Sequence, residues 1–198
     1  LAMDFTFTED QRMFRDSLRD FLSNECTPER IRASWKTETG RSPELWGKLA
    51  ELGLLGLTGP EDHGGLGLNE VDLVLPLEET GRAALPEPVV ETVAVGAPLL
   101  RSLESKDLAS QWLPKVAAGE AILTVGHPLN PTVTDAHVAH LLLLPNGDEI
   151  HAVTRERVKV ERQPCSDPSR RLFRVDWKPG SDTLVARGDK ARGLLQAA

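Results

Sequence analysis

The chain has 198 residues, of which 40% are hydrophobic and 27% are charged, and its formal net charge is −7. These values are ordinary for a globular protein, and the acidic balance argues against nucleic acid or an anionic membrane as the main partner. The longest purely apolar run, 141–144, is far too short for a membrane span. The two cysteines, Cys26 and Cys165, lack metal-ligand spacing and indicate free thiols of a reducing compartment, so the cytoplasm is the expected location.

Helix signals fill the first part of the chain. Thr8 and Gln11 form a capping box ahead of an apolar stripe at helical spacing. Pro28 ends this first helix or starts a short next one. Ser42 and Pro43 are a further N-terminal signal, with the serine as N-cap and the proline at the first helical position. Two later helices are predicted over 86–103 and 107–118.

A glycine-rich stretch, EDHGGLGL over 61–68, precedes another predicted helix that starts at Asn69 and should be kinked or distorted at Pro76. The stretch lacks the spacing of a phosphate-binding loop, and its acidic residues would repel a phosphate. We therefore expect the glycines to serve turns with positive φ and close helix packing.

After Gly119 the spacing of apolar residues changes from a helical period to alternation. Short runs alternate apolar and polar residues, and Asn146-Gly147 is a strong hairpin signal between two of them. We predict a small antiparallel sheet of about four or five strands. From Ser181 the pattern becomes helical again, and Leu194 and Leu195 are expected to find nothing later in the chain to bury them.

The predicted fold class is therefore α+β. An N-terminal all-α helical domain is expected over 3–120 and a reduced antiparallel β-domain over 121–180. The start of a truncated C-terminal helical domain is expected over 181–198, as in a fragment of a longer protein.

Three segments resemble the acyl-CoA dehydrogenase family. The closest match covers 46–82 and reads WGKLAELGLLGLTGPEDHGGLGLNEVDLVLPLEETGR. WLPKVAAGEA over 112–121 is similar to the family's junction into its β-domain, and FTEDQRMFRDSLRDFL resembles its first helix. The likeness is good over 4–125 and loose over 133–198. It implies FAD-dependent α,β-desaturation of an acyl-CoA thioester, with a catalytic Glu in the C-terminal helical domain beyond Ala198, so no catalytic residue is assigned within this chain.

The resemblance also implies a weakened flavin site. The family typically enters its β-domain with Leu-Thr-Glu-Pro-x-x-Gly-Ser-Asp, whereas this chain has LTVGHPLNPTVTD over 123–135. Thr124 keeps the threonine position and is the cofactor-binding residue that the resemblance assigns. The family's Trp-containing strand is missing as well. Some members of the family form mixed complexes in which one subunit has such losses, and this sequence resembles such a flavin-poor subunit, so FAD is expected to be held mainly by a second acyl-CoA dehydrogenase-like chain. The protein is otherwise expected to form a homo-oligomer.

Other candidate residues carry two interpretations. Glu91, Val95 and Leu99 lie in the helix that, by its order along the chain, falls where the family lines its acyl pocket; alternatively, Val95 and Leu99 are core residues. Arg170 and Arg171 would meet a CoA phosphate, or they form a surface turn.

A metal site is not predicted, because His137 and His140 should lie on opposite faces of a strand. The alternatives to a dehydrogenase subunit are a non-catalytic scaffold without flavin and a plain acyl-CoA-binding module.

Overall fold

The computed structural model describes residues 6–197. Residues 3–5 of the first predicted domain and Ala198 of the last lie outside this range. The α-helices are α1 (Glu9–Glu25), α2 (Pro28–Ser34), α3 (Pro43–Glu51), α4 (Val74–Arg82), α5 (Ala97–Ser102), α6 (Lys106–Ala117) and α7 (Gly188–Ala197). A π-helix spans Val90–Gly96, and short 3₁₀ helices span Glu61–His63, Glu70–Leu73 and Arg155–Arg157.

The predicted helix starts at Thr8 and Ser42 are confirmed. The Thr8 hydroxyl accepts from the Gln11 amide while the Gln11 side chain accepts from the Thr8 amide. The Ser42 hydroxyl caps α3 through the Leu45 amide. These contacts satisfy amides that have no partner within their own helix.

Asn69 caps a helical segment as predicted, but the first turn is a 3₁₀ helix and α4 begins only at Val74. The helix predicted to be kinked or distorted at Pro76 changes from 3₁₀ to α geometry two residues before that proline. Pro76 occupies the third position of α4, where a backbone amide has no partner within α4, so its missing N–H costs α4 no hydrogen bond.

The glycine-rich stretch is a packed turn. Gly64 and Gly67 have φ of 77° and 66°. A Cβ on Gly65 would lie 2.1 Å from the Gly59 carbonyl oxygen, so only glycine fits there. The amides of Gly65 and Gly67 donate to the carbonyls of Pro60 and Gly59. Because these donors are used within the chain, the stretch cannot cradle a phosphate in this conformation.

The single helix predicted over 86–103 is instead a π-helix that continues into α5. The Ala97 amide donates to the Thr92 carbonyl, five residues back. Pro98 explains this widening, because a proline ring in an α-helix would clash with the carbonyl four residues earlier, here that of Ala94.

The β-region contains more strands than predicted, and they form two sheets. The strands are β1 (Leu123–Val125), β2 (Val133–Thr134), β3 (Leu141–Asn146), β4 (Glu149–Thr154), β5 (Lys159–Gln163), β6 (Leu172–Asp176) and β7 (Leu184–Arg187). One sheet has the order β1-β3-β4-β7 and the other the order β2-β6-β5. All pairs are antiparallel except β1 with β3. The hairpin at Asn146-Gly147 is confirmed as the β3–β4 connection, where Asn146 pairs with Glu149.

The end of the chain differs from its prediction. Residues 184–187 are strand β7, which pairs with β4, and the helix expected from Ser181 starts only at Gly188. Leu195 is buried in a core cluster with residues of α5, α6 and the larger sheet, all of which precede it in the chain. The α+β class is confirmed, while the division at 120/121 and 180/181 stays a prediction.

Candidate functional site

The π-helix is fastened to β1 at the start of the β-region. The Thr92 hydroxyl donates to the Leu123 carbonyl at 3.0 Å and accepts from the Leu123 amide at 3.2 Å. A Cβ on Gly96 would lie 2.8 Å from the Leu123 side chain, so helix and strand are in close contact. This junction fixes the position of Thr124, the next residue along the strand.

Thr124 is fully buried, and its hydroxyl donates to the Thr134 carbonyl at 2.6 Å. The side chain therefore satisfies the backbone of β2 and presents no surface to a bound molecule. A flavin contact needs an accessible hydroxyl or amide, and the whole residue is buried, so it does not fit the cofactor in this arrangement. The assignment of Thr124 stays a prediction that the local geometry does not favour.

The three candidate substrate-binding residues differ in burial. Glu91 and Val95 are half-buried on the π-helix, whereas Leu99 lies in the hydrophobic core of α5. Only Glu91 of the three lines a cavity described here, of about 200 Å³.

Side chains that are distant in sequence meet beside that cavity. Arg41 and Asp135 form a buried ion pair with a distance of 2.5 Å between guanidinium and carboxylate. Glu87 is buried beside them and accepts from the Ser42 amide at 2.8 Å. We call Arg41, Glu87, Asp135 and Arg171 the buried charge cluster.

Burial raises the pKa values of the two acidic residues of the cluster. Loss of hydration raises the pKa of Glu87 to about 7, against the lowering effects of the Ser42 amide and the Arg41 charge. Loss of hydration likewise raises the pKa of Asp135 to about 6, although the Arg41 guanidinium opposes the shift. The backbone of Asp135 has a φ of 56°, which is uncommon for a residue with a side chain.

Arg170 and Arg171, which were predicted to act together, lie in different environments. Arg171 is buried and donates to the carbonyls of Trp35 and Thr37. It is not available to a CoA phosphate, and it is not part of a surface turn. Arg170 is exposed and lines the same cavity as Glu91.

His137 and His140 were predicted to lie on opposite faces of a strand, but strand β3 begins only at Leu141. His137 and His140 precede β3 and lie in the turn that follows Asp135. His140 Nδ1 accepts from the Ile122 amide, and His137 Nε2 donates to the Thr39 carbonyl. Within residues 6–197 no three His, Cys, Asp or Glu side chains converge as metal ligands. No helix in the same range is long and apolar enough to cross a bilayer.

Solved structures share this fold. One chain of the ChsE4-ChsE5 complex from Mycobacterium tuberculosis superposes with a TM-score of 0.81 at 25% identity, over 97% of this chain and 61% of that one. An acyl-CoA dehydrogenase from Geobacillus kaustophilus has a TM-score of 0.80 over 98% of this chain and 62% of its own, and its 20% identity supports the fold alone.

Sequence comparisons agree with the fold. Acyl-CoA dehydrogenase IpdE2 from Mycolicibacterium smegmatis is 29% identical over 193 residues, which cover 96% of this chain and 58% of that protein. The probable acyl-CoA dehydrogenase YngJ from Bacillus subtilis is 30% identical over 150 residues, covering 74% of this chain and 39% of YngJ. The chain thus spans less than two thirds of these relatives. The family profile described as acyl-CoA dehydrogenase, N-terminal domain, matches residues 8–120, more than half of the chain. The chain therefore belongs to the acyl-CoA dehydrogenase family.

Proposed function

We propose that the intact protein takes part in FAD-dependent α,β-desaturation of an acyl-CoA thioester, as the flavin-poor subunit of a heteromer. Its partner is a second acyl-CoA dehydrogenase-like chain that holds most of the flavin site. We place the complex in the cytoplasm, where the thiols of Cys26 and Cys165 would stay reduced. Membership of the family supports the proposed reaction. The burial of Thr124 in β1 supports the proposal that the partner, and not this chain, holds most of the flavin site.

The observation that carries this proposal is the use of Thr124 within the fold. Its hydroxyl is committed to the Thr134 carbonyl, and the side chain has no exposed surface. The residues that follow replace the glycine and hydroxyl groups of the family motif with HPLNP over 127–131. A Cβ on Gly126 would already lie 3.0 Å from Pro145, so the strand end leaves little space for a ring system.

Desaturation needs a base for the α-proton and donors that polarise the thioester carbonyl. We assign neither task to a residue of this chain, and we expect the base in another part of the intact protein. Bound flavin supplies hydride acceptance. Glu91 is the residue of the predicted acyl site that borders a cavity, and we propose that it borders the substrate.

A partner chain is consistent with the solved ChsE4-ChsE5 structure, which contains two different proteins. The same burial of Thr124 also favours a second candidate function, a scaffold subunit that keeps the fold and takes no part in the chemistry. The two differ in whether removal of this subunit changes turnover by the partner.

The test is co-expression of the full-length protein with a full-length acyl-CoA dehydrogenase homologue from the same genome. We expect no flavin absorbance for the protein alone, about one flavin per pair of chains in the complex, and acyl-CoA-dependent dye reduction by the complex only. Stoichiometric flavin on the protein alone would refute the proposal. Equal turnover by the isolated partner would favour the scaffold function.

A matched pair of variants sharpens the test. Thr124→Val removes the hydroxyl and Thr124→Ser keeps it. If the hydroxyl serves only the Thr134 carbonyl, both complexes retain the same flavin content, while Thr124→Val alone lowers the free energy of unfolding by about 1–3 kcal/mol. A loss of flavin in Thr124→Val with unchanged stability would show that this residue does contact the cofactor.

A further inference from the structure

The connection between α2 and α3, residues 35–42, lies across the loops of the β-region, and we call it the strap. Its first half is tied by three hydrogen bonds. Arg171 donates to the carbonyls of Trp35 and Thr37 at 3.1 and 3.2 Å. The Trp35 indole donates to the Ser169 hydroxyl at 2.6 Å. The strap is thus anchored by residues more than a hundred positions away in the chain.

The second half of the strap is tied by charged and aromatic side chains. His137 donates to the Thr39 carbonyl at 2.8 Å. Arg41 pairs with Asp135, and its guanidinium also donates to the Ser169 carbonyl at 3.2 Å. No strap residue belongs to either hydrophobic core cluster of the described chain. Hydrogen bonds and the Arg41–Asp135 ion pair are therefore the main ties of the strap, which has no share in either core cluster.

The strap interface also concentrates unsatisfied polar atoms. Within residues 6–197, the buried side-chain atoms without a hydrogen-bond partner are Arg41 Nε, Trp46 Nε1, Glu87 Oε2, His137 Nδ1 and Arg171 Nε. Every one belongs to a residue that ties the strap or lines a cavity beside it. Burial of an unpaired polar atom is unfavourable, so the closed strap carries a cost that hydration would relieve.

Two cavities lie on either side of the strap. One has a volume of about 450 Å³ and is bordered by Cys26 and Ile31 on the helical side. The other has a volume of about 390 Å³ and is bordered by Trp46 and Ile122 at the β-region. Both have residues 41–43 and Glu87 in their walls, so this end of the strap is the partition between them.

We propose that the strap is a conformational gate, which opens locally while both hydrophobic cores stay folded and thereby joins the two cavities. Local opening is expected for a segment with polar contacts and no share in a core. The inference is independent of the proposed function, because it concerns only contacts within the described chain.

Hydrogen exchange of the Ser42 amide in the full-length protein tests the gate, since this amide is protected by Glu87. We expect its opening free energy to be insensitive to low denaturant concentrations, unlike that of amides in β3, which open with the whole fold. Ser169→Ala removes the tie to Trp35 and should speed exchange at Ser42 by about five-fold without affecting β3.

The matched control is Ser102→Ala, which removes an exposed hydroxyl bonded to the Pro98 carbonyl on α5. It should leave exchange at Ser42 unchanged. The proposal is overturned if Ser42 and β3 share one denaturant dependence, or if the two serine variants behave alike. Trypsin gives a second readout, because cleavage after the buried Arg41 requires the strap to leave Asp135. Absence of that cut under native conditions would also overturn the gate.

Discussion

Glu79 joins α1 to α4 and provides the sharpest test of the fold energetics. Glu79 is 1% exposed. Both oxygens of its carboxylate accept hydrogen bonds from Arg19, and one of them also accepts from Arg82. These hydrogen bonds, Arg19 first, lower the pKa of Glu79 to about 2. Glu79→Gln removes the charge and keeps the shape, so it isolates the electrostatic contribution of this site.

The size of the stability loss in Glu79→Gln follows from the lowered pKa of Glu79. A carboxyl whose pKa falls from 4.5 to about 2 contributes at most about 3 kcal/mol to the free energy of unfolding. The side chains of Arg19 and Arg82 are 44% and 51% exposed, so solvent screens part of the attraction. We expect a loss of about 2 kcal/mol, or roughly 4–8 °C in melting temperature.

Urea unfolding across pH checks the reasoning. Because the folded pKa is depressed, the contribution is complete above about pH 4.5 and is lost as the pH falls toward 2. Glu79→Gln should therefore be less stable than wild type at pH 7 and nearly equal to it at low pH. Glu78→Gln, at an exposed neighbour without a recorded ion pair, is the control. Equal losses in the two variants, or a constant difference across pH, would refute the argument.

Two further predictions concern burial and close packing. Burial raises the pKa of Glu87 to about 7, so its ionisation destabilises the folded state as pH rises from about 4.5 to 7. Glu87→Gln should abolish about 2 kcal/mol of that decline, measured by urea unfolding at pH 5 and 8, and an unchanged decline would contradict the assignment. Gly65→Ala should cost about 2 kcal/mol or more, because the new Cβ meets the Gly59 carbonyl, whereas Gly47→Ala in α3 meets nothing within 4 Å and should be neutral or stabilising in the same thermal melt.

Features encoded within a few residues were predictable from the sequence. The caps at Thr8, Ser42 and Asn69 and the hairpin at Asn146-Gly147 each depend on side chains close to the backbone groups they satisfy. The structural role of the glycine-rich stretch could also be predicted, because it lacks the spacing of a phosphate loop. In these places local chemistry and the tertiary fold agree.

Features that depend on distant partners were not predictable. Residues 184–186 of β7 form a short apolar run that suits a helix or a strand, and pairing with β4 decides between them. The π-helix arises where Pro98 meets a helix that β1 and Thr92 hold in place. Glu91 lies half-buried on the π-helix beside a cavity, whereas Leu99 of α5 belongs to a hydrophobic core cluster, although both lie in the predicted segment.

The buried charge cluster shows how the two parts of the chain share one site. Arg41 and Glu87 come from the helical part, whereas Asp135 and Arg171 come from the β-region. Arg41 is 94 residues from its partner in sequence, so no local pattern marks the pair. The cluster borders the cavity of Glu91 and anchors the strap. A substitution of Arg41 therefore changes both the strap and the wall of the cavity that Glu91 borders, because Arg41 belongs to each of them.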